Sequence, residues 1–155
     1  FYIVGSGYFI LATTKLPGLE NNFITLLMYT FIWTNNCFAY IFGKRLGKKP
    51  FFPSISPNKT WEGFWGGGLS CLGLGLLLMI LNTGLEKWIF PVLAVVIIST
   101  ATIGDLIQSK FKREAKVKDS GSLIPGHGGF FDRMDSAIFV APWFFLLLNF
   151  KEYVS

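Results

Sequence analysis

Charge is scarce in this chain. Of 155 residues, 15% are Asp, Glu, Lys or Arg, while 52% are hydrophobic and 17% aromatic. That balance is too apolar for an ordinary water-soluble domain and predicts a membrane protein. Cysteine occurs only at Cys37 and Cys71, each inside an apolar run without metal-ligand spacing, so both read as packing residues. No internal repeat or low-complexity linker divides the chain, and residues 1–155 read as one transmembrane domain. The net charge of +5 lacks any aromatic platform or binding motif for nucleic acid, so no nucleic-acid partner is expected. The chain begins at Phe1, without an initiator Met or the charged start of a signal peptide, and reads as the C-terminal part of a longer protein.

What is abundant is long apolar sequence. Asn22 to Gly43, Phe64 to Asn82, Trp88 to Gln108 and Ser136 to Phe150 are apolar segments, and Phe1 to Thr14 reads as the tail of a fifth. The complete ones approach the roughly 20 residues that cross a bilayer core; the last is short. The expected fold is therefore all-α: a polytopic bundle of about five membrane helices with two ordered cytoplasmic loops. Gly67, Cys71 and Gly75 recur every four residues among further small side chains, which predicts a helix packed inside the bundle rather than facing lipid.

The loops around Lys44 to Glu62 and Ser109 to Asp135 hold 11 of the 14 Lys and Arg residues, and that asymmetry places them in the cytoplasm. The first loop carries Pro50, Pro53 and Pro57, which forbid a continuous helix and predict an irregular connection. Its run Ser56-Pro57-Asn58-Lys59-Thr60 precedes a helix start. It reads either as a phosphate cradle or as a plain helix cap.

The second loop concentrates polar chemistry. Lys110, Lys112, Arg113, Lys116, Lys118 and Arg133 face Glu114, Asp119, Asp132 and Asp135, and the only histidine, His127, lies in a Pro-Gly-His-Gly-Gly turn. Cations for phosphate, carboxylates for a divalent metal and glycines for close backbone approach are what phosphoryl or nucleotidyl transfer needs. Asp105 ends an apolar run, and an ionisable group at that depth is a functional candidate with a partner nearby. Asp132, Asp135 and Ser136 share a helical face, and Asp132 could meet Asp105 across a metal ion. Asn35 and Asn36 lie two turns inside their helix, with Ala39, Tyr40 and Gly43 on the face of Asn36. They either bond another helix or line a polar cavity.

These residues resemble a known family. The pattern Ser-x-Phe-Lys-Arg-x4-Lys-Asp-x-Gly-x2-Ile-Pro-x-His-Gly-Gly-Phe-x-Asp-Arg-Met-Asp at Ser109 to Asp135 is similar to the signature of phosphatidate cytidylyltransferases. Asn35 to Gly43 and the run Ile55-Ser-Pro-Asn-Lys-Thr-Trp-Glu-Gly63 resemble further family blocks. The resemblance implies cytidylyl transfer from CTP to phosphatidate, a membrane lipid, with Mg²⁺ required. It implies metal-binding roles for Asp105 and Asp132, with Asp135 a third candidate ligand. It implies nucleotide binding by Ser56, Pro57, Lys59 and Thr60. Lys110, Lys112, Arg113, Lys118, Asp119, His127 and Arg133 match signature positions, with Lys112 and Arg113 expected near phosphates and His127 bracing the turn or bonding a phosphate. Asn36 stands where members often carry Asp. A homodimer contact is left open. A CTP-dependent polyprenol or phytol-type lipid kinase is the nearest rival, followed by a transporter and an inactive scaffold.

Overall fold

The computed structural model describes residues 2–13, 21–53, 55–81, 86–117 and 131–154. They form five helices, α1 (Tyr2–Thr13), α2 (Asn21–Leu46), α3 (Trp61–Leu81), α4 (Ile89–Glu114) and α5 (Phe131–Val154), and two strands, β1 (Pro50–Phe52) and β2 (Ser56–Thr60). The chain is mainly helical as expected, and the strands correct only the irregular connection predicted for the first loop. Between α2 and α3 the chain makes an antiparallel hairpin in which Pro50 faces Thr60 and Phe52 faces Ser56, with an irregularity between Pro50 and Phe52. Ser-Pro-Asn-Lys-Thr has little strand propensity of its own. The hairpin instead rests on aromatic packing: the Phe51 ring stacks on Phe64 at 5.4 Å and meets Trp61 edge-on at 4.4 Å.

Helix α4 is the axis of the bundle. Its buried residues Phe90, Leu93, Ala94, Ile97, Ile98, Ala101 and Gly104 recur at intervals of three and four, the stripe expected of a helix packed along one side. That stripe joins Phe31 and Ile24 of α2 and Val140, Ala141 and Phe144 of α5 in one core. Helix α1 packs on α5, with the Phe9 and Phe145 rings 5.5 Å apart.

Helix α3 departs from expectation. Gly63, Gly66, Gly67, Gly68, Cys71 and Gly75 are buried, but Leu69, Leu76, Leu77 and Ile80 are exposed on its other side. The small residues make one contact stripe, not a helix surrounded by protein. Exposed apolar side chains continue over α1 (Val4, Leu11), α2 (Leu26, Trp33) and α5 (Trp143, Leu146, Phe150), a surface unlike that of a water-soluble monomer. Among the described residues α3 and α4 are long and apolar enough to cross a membrane.

At the α2–α3 crossing, a Cβ on Gly67 would stand 2.6 Å from the Asn35 carbonyl oxygen and 2.9 Å from Ala39 Cβ, neither of which can rotate away. A Cβ on Gly73 would meet nothing within 4 Å. Gly67→Ala is therefore expected to destabilise the bundle by about 1–3 kcal/mol, while Gly73→Ala is neutral or stabilises it by up to about 1 kcal/mol. Thermal unfolding of the two variants in detergent micelles checks the contrast.

Candidate functional site

One end of the bundle gathers its cations. Helix α2 finishes on Lys44 and Arg45, and α4 on Lys112 and Arg113. The hairpin between them adds Lys48, Lys49 and Lys59. Two bonds fix that hairpin to α3: the Trp61 amide donates to the Lys49 carbonyl at 3.0 Å, and the Lys49 amide donates to Glu62 Oε2 at 3.3 Å. A third contact reaches α4, where Arg113 Nε donates to the Ile55 carbonyl at 3.5 Å. Thr60 closes the N-terminus of α3, its Oγ1 accepting the Gly63 amide at 3.2 Å in the geometry of a helix cap.

Beneath the hairpin lies a cavity of about 650 Å³, within the roughly 300–1,000 Å³ of small-molecule sites. Helix α2 lines it with Asn35, Asn36, Tyr40 and Lys44, and β2 with Ser56, Asn58, Lys59 and Thr60. Phe51 and Phe64 supply an aromatic wall, and Thr102, Asp105 and Asp135 close it from α4 and α5. Gly104 sets the last approach: a Cβ there would stand 2.5 Å from Phe139 Cβ and 3.4 Å from the Asp135 carbonyl oxygen. The glycine beside Asp105 thus allows α5 to bring Asp135 to it.

The buried-acid problem posed by Asp105 is answered by Lys59. The two side chains form an ion pair, each a little under a third exposed. Asp135 feels the negative charge of Asp105 and the positive charge of Lys112. Its Oδ1 accepts the Ser136 amide at 2.6 Å and the Ser136 hydroxyl at 3.2 Å. Asn36 Nδ2 donates to that same hydroxyl at 3.2 Å, and Asn35 Nδ2 donates to Asn36 Oδ1 at 3.4 Å.

Among the described residues no group of three or more His, Cys, Asp or Glu side chains could hold a metal. Two carboxylates do border one cavity, with amide and hydroxyl oxygens beside them. Mg²⁺ takes hard oxygen ligands, commonly one or two carboxylates plus water and substrate phosphates, so the donor set fits it.

Ser56, Lys59, Thr60, Asn36, Asp105 and Asp135 thus come together around one space. Pro57 sits in β2 outside the lining, Arg113 reaches the hairpin backbone, and Lys110 lies on an exposed face 3.8 Å from Glu114. Asp132 and Arg133 belong to the first turn of α5, but their side chains lie outside the described residues, as do Lys118, Asp119 and His127 entirely. Sequence reasoning passed over Lys44 and Phe51, and took in Asn58 only as a member of the Ser56-to-Thr60 run. Lys44 was legible from spacing, four residues after Tyr40, and its ammonium stands 5.7 Å from that ring.

Comparisons with known proteins agree on one relationship. A model of the cytidylyltransferase family matches residues 1–151. Phosphatidate cytidylyltransferase of Staphylococcus saprophyticus is 40% identical over 146 residues, covering 94% of this chain and 55% of that protein. Its namesake from Staphylococcus aureus strain COL shows the same identity and coverage, and that from Staphylococcus haemolyticus is 39% identical over 148 residues. The chain spans about half the length of the curated relatives it matches.

Thr60 serves as a cap while bordering the cavity, so the two roles separate by substitution. Thr60→Ala is expected to cost about 1 kcal/mol of stability, and Thr60→Ser to restore most of it. Paired denaturation curves measure this.

Proposed function

We propose that this chain, which belongs to the cytidylyltransferase family, transfers a cytidylyl group from CTP to phosphatidate, yielding CDP-diacylglycerol and pyrophosphate. One observation carries the reading. The Ser56-to-Thr60 segment and Asp135 of the signature border the same cavity as Asp105, so two motifs far apart in sequence share one ligand space. The relatives at about 40% identity carry the name phosphatidate cytidylyltransferase, which favours cytidylyl transfer over a lipid kinase.

The chemistry asks little of a general base. The phosphate of phosphatidate is a monoester whose second pKa is about 6, so near neutral pH its oxygen is already an ionised nucleophile. It attacks the α-phosphorus of CTP in line; the new P–O bond forms as the bond to pyrophosphate breaks, and the electron pair leaves with pyrophosphate. The residues are left with positioning and charge neutralisation. Lys59 exchanges Asp105 for a phosphate oxygen, and Lys44, Lys112 and Arg113 surround the polyphosphate. Ser56 and Asn58 hold the nucleotide by hydrogen bonds. Asp105 and Asp135, together with Asp132, would hold Mg²⁺, which would supply positive charge to the phosphate oxygens. His127 braces the glycine turn or bonds a phosphate.

The basic end of the bundle faces the cytoplasm in this reading, by the excess of Lys and Arg in its loops. Helices α2 to α5 cross the bilayer, with α1 as the tail of a fifth membrane helix and Trp61 and Trp65 at the cytoplasmic boundary. CTP then arrives from water while the acyl chains of phosphatidate stay in lipid. A homodimer is a further assembly open to this chain.

CTP labelled at the α-phosphorus tests the reaction on purified protein with phosphatidate and Mg²⁺. Label is expected in lipid, and EDTA abolishes its transfer. Label left in CDP would mean a kinase. Asp105→Asn and Asp132→Asn are each expected to lower turnover by about 10²–10³-fold or more; near-normal turnover of either would remove the metal-holding role.

A further inference from the structure

The hydrogen bonds of Asn35, Asn36, Ser136 and Asp135 form a chain whose direction is set from one end. An ionised carboxylate only accepts, so the Ser136 hydroxyl must give its single proton to Asp135 Oδ1. Having donated, the hydroxyl must accept from Asn36, which turns the amide nitrogen of Asn36 toward it. Asn36 Oδ1 is then left to accept from Asn35. Asn35 and Ser136 are buried, at 5% and 2% exposure, so water does not replace them cheaply, whereas Asn36 between them is exposed and borders the cavity. The far end of the chain matters most. Asp135 Oδ1 takes two donors, the hydroxyl and the amide of Ser136, while the carboxylate borders the cavity and feels the charge of Lys112.

We propose that Asn36 is a positioning residue: its donated hydrogen bond commits the Ser136 proton to Asp135 and holds that carboxylate with one oxygen turned toward a divalent cation in the cavity. The cation end of this proposal rests on the function proposed above; the relay itself does not. Asn36 acts here because it is an amide. An aspartate at this position would present a second acceptor to a hydroxyl with one proton, so the two carboxylates would compete for it. On charge alone, Asn36→Asp should tighten cation binding; through the relay it should weaken it. The two effects therefore differ in sign.

The test uses the whole chain in lipid nanodiscs at pH 8, with two readouts. The first is the carboxylate infrared band of Asp135, identified by its loss in Asp135→Asn. The second is Mn²⁺ affinity by electron paramagnetic resonance. Asn36→Ala, Asn36→Asp and Ser136→Ala are each expected to shift the Asp135 band and to weaken Mn²⁺ binding about tenfold or more. In a Ser136→Ala background, Asn36→Ala should have little further effect, because the intermediary is already gone. The proposal is overturned by an unmoved band in Asn36→Ala, by additive effects in the double variant, or by tighter Mn²⁺ binding in Asn36→Asp. If the bands shift as expected but wild type neither binds Mn²⁺ nor transfers label from CTP, the relay stands as the device that orients Asp135 and the metal-dependent reading falls.

Discussion

The ion pair between Lys59 and Asp105 is the contact on which the rest of the site depends. In a chain with so little charge, a carboxylate near the end of an apolar helix needs a partner, and the partner comes from a hairpin 46 residues earlier. A fully exposed pair contributes about 0–1 kcal/mol, whereas removing one member of a buried pair costs about 3–5 kcal/mol. With each side chain a little under a third exposed, this pair lies between those limits. It draws β2 over the end of α4, and the Arg113 contact to Ile55 holds the same two elements together a turn further on. The price is that a ligand needing Lys59 must compete with Asp105, which a polyphosphate carrying its own cation can do, because each charged group then regains a partner.

Glycines set the distances at which that pair is useful. Gly63 and Gly67 bring α3 against Asn35 and Ala39, which turns the Asn36 and Tyr40 face of α2 toward the hairpin. Gly104 does the same between α4 and α5 and places Asp135 beside Asp105. Polar groups thus collect at one end of a bundle whose sides are apolar. On the proposed function, that boundary is where a lipid substrate and a water-borne nucleotide would meet.

Much of this was legible in the sequence, for identifiable reasons. Apolar runs located the five helices, and the spacing of Asn36, Tyr40 and Gly43 gave the face of α2 that lines the cavity. The helix ends were not legible, because hydropathy marks where charge begins and not where hydrogen bonding stops. Helix α2 runs on through Lys44 and Arg45 to Leu46, and α4 to Glu114. The hairpin was hidden because its stability comes from Phe51 stacking on Phe64, a tertiary contact that no local propensity records. Small residues in α3 showed that one side is tightly packed and could not show that the other is open. Asp105 announced the need for a partner; that Lys59 meets it depends on the hairpin, so the sequence alone named the problem and not its solution.

A double-mutant cycle of Lys59→Met and Asp105→Asn, read by reversible unfolding in nanodiscs without nucleotide, tests this dependence most directly. Lys59→Met alone should destabilise the protein by stranding the carboxylate, and adding Asp105→Asn should recover much of the loss, for a coupling energy of about 1–3 kcal/mol. Effects that add to within about 0.3 kcal/mol would show that the two side chains do not act on one another, and the account of how the hairpin is held over the site would fail.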